Sequence, residues 1–160
     1  MGKLNELRNA VNGVLFQQTD LAIQSEGWSH LYGVSQAAAL LASRRGLDAG
    51  TCAAAGLLHD IYSVRTGEEA DHALHGAADA ARILAAIPGY EAAERDDITR
   101  MILRHSDKEA IDGSLEECLK DADVLAHWLF EREKVFNRAK AMRIRRVMNE
   151  LGFEGNVRVE

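Results

Sequence analysis

Between Gly56 and Gly76 the chain reads GLLHDIYSVRTGEEADHALHG, a stretch holding three of its six histidines. Two of them adjoin aspartates, at His59-Asp60 and Asp71-His72. Imidazole nitrogens and carboxylate oxygens together form the donor set of a transition-metal site. The same residue types also make an ordinary solvated helix face. Orientation separates the two readings, because burying a neutral polar group without a partner costs on the order of 2–7 kcal/mol. An inward-facing imidazole or carboxylate therefore needs a reason.

Helical spacing sorts the candidates. His30 heads the stripe Val34, Ala37/Ala38 and Leu41. His59 shares a face with Cys52, Ala55 and Gly56, and Asp60 shares the neighbouring face with Ala53, Gly56 and Leu57. His72 lines up with Gly76, Ala80, Ile83 and Ile87, whereas His75 lines up with Asp71, Asp79 and Arg82 and reads as solvated. His105 follows Ile98, Met101 and Ile102, and Asp123 lies with Leu119, Ala126 and Phe130. His127, one turn past Asp123, either orients that carboxylate or fills surface, and the surface reading is the simpler. The inward set is thus His30, His59, Asp60, His72, His105 and Asp123. Such nitrogen and oxygen donors suit Fe, Mn, Co or Ni and admit zinc, although a structural zinc site would call for thiolates. Cys52 and Cys118 have no partner at ligand spacing and read as buried reduced thiols.

These residues must be positioned by helices. Apolar residues recur at helical period from about Lys3 to Gln17 and from about Trp28 to Arg45, the latter closed by Gly46. Asp48 reads as the N-cap of a helix from Thr51 to about Ile61, and Tyr62 to Asp71 as a loop. Further helices span about His72–Ala86, Ala92–Arg104, Leu115–Glu131 and Val135–Leu151. No segment alternates with period two for long enough to be a strand, and one proline in the chain fits helices throughout. The expectation is an all-α bundle of about six to seven helices. At 160 residues it forms a single domain, 1–160, with the C-terminal helix at about 135–151.

A formal charge of −6 argues against broad nucleic-acid binding, but bound cations can still reverse the field inside one cleft. The amphipathic, charged start MGKLNELRNAVNGVL lacks the apolar core of a signal peptide, and no run approaches the ~20 apolar residues of a membrane span. A cytoplasmic protein without membrane contact is the expectation. The oligomeric state is not legible.

The order His30, His59-Asp60 and a distant Asp123 resembles the HD superfamily of metal-dependent phosphohydrolases, over a motif core of about 28–130. WSHLYGVSQAAALLA looks like its first motif, AAGLLHDI its second and LKDADVL its last. The last ligand maps onto Asp123 rather than Asp121. A subset of the superfamily adds two histidines, and HALHGA and ILRHSDK fit them with His72 and His105. The resemblance implies an HD-domain bundle with a dinuclear centre, similar in layout to HD-type diadenosine tetraphosphate hydrolases. In that layout Asp60, the central catalytic residue, bridges two divalent ions. His30, His59 and Asp123 complete one ion's shell, and His72 and His105 the other's. The implied reaction is hydrolysis of a phosphoester or phosphoanhydride, most plausibly in a nucleotide, by a metal-bridging hydroxide. Arg65 and Lys108 then stand where they would meet substrate phosphates, although both also read as ordinary loop cations. The basic residues of the last helix, Lys134, Arg138, Lys140, Arg143, Arg145 and Arg146, read as a solvated face. The chain departs from its relatives at IYSVR, which lacks a lysine often found after the HD pair, and at ADVLAH, where an arginine is common. The same ligands would also serve an HD-type diiron oxygenase, and a nucleotide-sensing module without turnover is a third reading.

Overall fold

A computed structural model describes residues 2–160. Asp20 starts the longest helix by accepting hydrogen bonds from the amides of Ala22 and Ile23, so α2 runs Leu21–Arg45 and begins before the expected Trp28. Gly27 lies inside it at a close approach. A Cβ there would stand 2.8 Å from Leu15 and 3.1 Å from Val64. Before α2 comes α1 (Lys3–Gln17), whose Leu7, Val11 and Leu15 are buried. After it, Gly46 at φ 69° closes α2 and the Asp48 carboxylate caps α3 (Ala49–Leu58) through the Thr51 amide.

A short helix, α4 (Ile61–Thr66), occupies the first half of the expected loop. It buries Ile61 and Val64 and ends at Gly67, with φ 76° and its amide donating to the Ser63 carbonyl. Six residues are too few to show helical period in a sequence, which explains the difference. The remaining helices are α5 (His72–Ala85), α6 (Ala92–Arg104), α7 (Ser114–Phe130) and α8 (Arg138–Leu151). The all-α expectation holds, with eight helices among the described residues. The exception is a two-residue parallel pairing of β1 (Val135–Phe136) with β2 (Arg158–Val159), in which Val135 faces Arg158 and Phe136 faces Val159.

Helix α2 is the centre of the bundle, packed most closely on α3 and α7. Its approach to α3 is set by Gly56, where a Cβ would come within 2.7 Å of the Ser35 backbone. Small residues at that crossing bring the end of α3 up against the middle of α2. Helix α8 keeps Arg138, Arg145 and Arg146 exposed, as a solvated basic face would, but Arg143 departs from that reading and helps to tie α8 to α7 through ion pairs. Arg143 is buried, with Nη1 2.8 Å from Glu117 and 3.0 Å from Asp121, and Arg146 lies 2.7 Å from Asp121. The carboxylates that pair with Arg143 belong to another helix, which the periodicity of α8 cannot reveal. Cys52 and Cys118 are buried free thiols. No described helix is long and apolar enough to cross a membrane.

Candidate metal centre

Three helices and two helix ends bring six side chains to one point. His30 projects from the middle of α2 and Asp123 from the middle of α7. His59 terminates α3, and Asp60 follows at φ −112° and ψ 21°, between the helical and extended regions, before α4 begins. This break in the helix lets two successive side chains reach the same cluster. His72 opens α5 after Asp71, a left-handed residue at φ 51°, and His105 terminates α6. Gly76 allows α5 to approach α3, since a Cβ there would stand 3.1 Å from the His59 carbonyl oxygen.

Backbone carbonyls orient three of the imidazoles. Nδ1 of His59 donates to Gly56 at 2.9 Å, that of His72 to Glu69 at 2.9 Å, and that of His105 to Ile102 at 2.7 Å. Each of these rings therefore presents the lone pair of Nε2 to the interior, the arrangement that metal-binding histidines use. His30 Nε2 lies 3.0 Å from His59 Nε2, and His72 Nε2 lies 3.3 Å from His105 Nε2. Asp60 stands between the two pairs. Its Oδ2 is 3.1 Å from His59 and 3.4 Å from His30, while its Oδ1 is 3.2 Å from His105 and 3.6 Å from His72. Asp123 Oδ1 lies 3.3 Å from His30.

The donor set fits divalent cations on a direct criterion. Asp60 Oδ1 and Asp123 Oδ1 are buried without a hydrogen-bond partner, and facing Nε2 lone pairs have nothing to share but a proton or a metal. Overlapping groups satisfy metal-ligand proximity: His30, His59 and Asp60 form one, and Asp60, His72 and His105 another.

The electrostatics agree. Burial would raise the Asp60 carboxyl, yet the surrounding imidazoles, His59 foremost, hold it well below the usual range. Burial would likewise raise Asp123, but Lys108 and His30 hold it well below as well. Burial would push His30 down, and the carboxylates of Asp123 and Asp60 instead bring it up to about 9. Burial lowers His105. Both carboxylates are thus ionised, as metal ligands must be.

A sequence model of the HD domain matches residues 27–128. The chain belongs to the HD domain family. The family lies within the metal-dependent phosphohydrolase superfamily, whose domains bind divalent metals. No curated protein and no solved structure matches the chain. In this HD domain the pair that names the family is His59-Asp60, at the α3–α4 junction.

All six residues chosen from helical faces converge in the HD-domain cluster, and His75 stays outside it, exposed and stacked on Tyr62 at 4.8 Å. His127, read as surface, belongs to the cluster: its ring lies 4.3 Å from that of His30 and its Nε2 3.5 Å from Asp123 Oδ1. Burial pushes it down to about 4. The available signal was its spacing of one turn from Asp123. Asp121 is turned away, held by Arg45, Arg143 and Arg146. Both cations expected near substrate already have carboxylate partners. Arg65, in α4, lies 2.8 Å from Asp79, and Lys108 is buried with Nζ 2.6 Å from Asp123 Oδ2, also donating to the His105 carbonyl. Arg65 bonds Asp79 through Nε and Nη2 and its side chain is half exposed, which leaves Nη1 open to a further anion.

Proposed function

We propose that this HD domain hydrolyses a phosphoester or phosphoanhydride, with nucleotides the first class to test, at a centre of two divalent transition-metal ions. The observation that carries the reading is Asp60, whose two oxygens each face a different pair of histidines. One site would comprise His30, His59, Asp60 and Asp123, the other Asp60, His72 and His105. Divalent ions held there would acidify a water and neutralise charge developing on phosphoryl oxygens.

The protein's own part is to hold the donors in place and in the right protonation state. Carbonyl acceptors fix the His59, His72 and His105 tautomers. Lys108 occupies Asp123 Oδ2, which leaves Oδ1 directed at His30 and the centre. Asp60 and His72 are only partly buried, which leaves the cluster a mouth through which a phosphoryl group can enter.

The test is metal analysis of the purified protein, followed by a phosphoester and nucleotide panel with Mn²⁺, Fe²⁺, Co²⁺ and Ni²⁺. Bound metal and turnover that Asp60→Asn abolishes are expected. Oxygen uptake and a mixed-valent EPR signal in the iron-loaded protein, without turnover of any phosphoester, would overturn the proposal in favour of a diiron oxygenase. Bound ligand with neither activity would favour a sensing module.

A further inference from the structure

A cleft of about 740 Å³ runs between α2 and α7, and two residues of the metal cluster, His30 and His127, form part of its wall. That volume suits a small organic ligand. The rest of the wall is largely apolar, with Ala37, Leu40, Leu125, Leu129 and Phe130 prominent. Three of these expose much of their surface to water: Leu40 at 55%, Leu129 at 50% and Phe130 at 72%. No lysine or arginine lines the cleft, and its charged side chains besides the histidines are Glu26 and Glu131. Glu131 is paired with Lys134, outside the lining.

This charge pattern discriminates among phosphorylated ligands. A phosphoryl group at the cluster would be met by the metal ions that the six donors would hold. A second or third phosphate extending into the cleft would meet the Glu26 carboxylate and the already paired Glu131, and no lysine or arginine of the lining. An uncharged apolar group would instead cover Leu40, Leu129 and Phe130 and release the water on them.

We infer that the cleft takes the organic part of the substrate, and that the substrate is a phosphomonoester of an uncharged, largely apolar group rather than a polyphosphate. This rests on the phosphohydrolase reading and narrows it. A nucleoside monophosphate and an alkyl phosphate share the required chemistry, one phosphoryl group on an uncharged body, and binding separates them.

The experiment is calorimetric titration of the Mn²⁺-loaded full chain with inorganic phosphate, with methyl, butyl and hexyl phosphate, with adenosine mono- and triphosphate, and with hexanol. The variant Leu129→Glu is titrated in parallel, since its side chain is half exposed and outside the metal cluster. Affinity should rise by up to about fourfold per methylene from methyl to hexyl phosphate, and the triphosphate should bind no more tightly than the monophosphate. Leu129→Glu should flatten the chain-length dependence and leave inorganic phosphate binding unchanged. A monophosphate that outbinds hexyl phosphate selects the nucleoside, and the reverse selects the alkyl group. Affinity independent of chain length, with inorganic phosphate still bound, overturns the cleft assignment and leaves the phosphohydrolase reading standing. Hexanol binding with no affinity for phosphate overturns that reading and the monoester assignment with it. A concentration-dependent dimer, seen by sedimentation and broken by Leu129→Glu, overturns the cleft assignment by giving that face to a second copy of the chain.

Discussion

Gly56→Ala is the sharpest test of how the helices build the centre. The new Cβ would stand 2.7 Å from both Cα and N of Ser35 and 2.9 Å from the Val34 carbonyl carbon. All three are backbone atoms, so no side-chain rotation relieves the contact. Ordinary van der Waals contact begins near 3.4 Å, so α2 and α3 must separate by about 0.7 Å. Such overpacking costs roughly 1–3 kcal/mol. Alanine returns about 1 kcal/mol of helix propensity. The net expectation is a loss of up to about 2 kcal/mol, or a fall in Tm of up to roughly 8 °C for a chain of this size. Gly13→Ala is the control, since it lies exposed within α1 with nothing near its Cβ position. It should gain roughly 0.5–1 kcal/mol. The separation also widens the gap between His30 on α2 and His59 at the end of α3, now 3.0 Å between their Nε2 atoms. Displacements above about 0.5 Å exceed what a preorganised site tolerates, so Mn²⁺ affinity by calorimetry should fall by about tenfold or more. A Gly56→Ala protein that gains stability as Gly13→Ala does, with unchanged Mn²⁺ affinity, would refute the close approach as the device that sets the centre.

Further outcomes follow from other parts of the molecule. Excess Mn²⁺ at a hundred times its Kd should stabilise the parent by about 2.7 kcal/mol in thermal unfolding, and Asp60→Asn should lose that gain; an undiminished gain would place the metal elsewhere. Lys108→Met leaves the buried Asp123 carboxylate without its counter-cation, at a cost of about 3 kcal/mol in chelator. Mn²⁺ should recover part of that loss, and a loss equal with and without Mn²⁺ would show that Lys108 does not act through Asp123. Burial alone would raise the Glu117 carboxyl, yet Arg143 and the Asp112 amide bring it down to about 2. Its contribution to stability is therefore present above the ordinary glutamate value near 4.5 and is lost as the pH falls through about 2. Glu117→Gln should flatten the stability profile across that window, and denaturant unfolding at stepped pH would read it; an unchanged slope would remove Glu117 from the acid response.

The cluster of inward donors was legible because inward polar residues on helices are costly and therefore conspicuous. His30, His72, His105 and Asp123 each interrupt an apolar stripe, and His59-Asp60 ends a run of small residues. His127 was less visible, because a side chain one turn beyond Asp123 sits equally well at a surface or against the cluster. Arg143 and Lys108 were read as solvated or loop cations since their carboxylate partners lie on another helix. Lys120, fully buried and paired with Asp112, drew no notice for the same reason.

Local chemistry thus determined the helical class, the Gly46 and Asp48 caps and the identity of the inward donors, since each depends on residues within a few turns. The tertiary structure decided which atoms face each other: that the two oxygens of Asp60 point to different histidine pairs, that Lys108 neutralises Asp123, and that an apolar cleft lined by no lysine or arginine adjoins the cluster. These depend on the crossing of α2 with α3 and α7, and no helix encodes in its own periodicity what the next one will place against it.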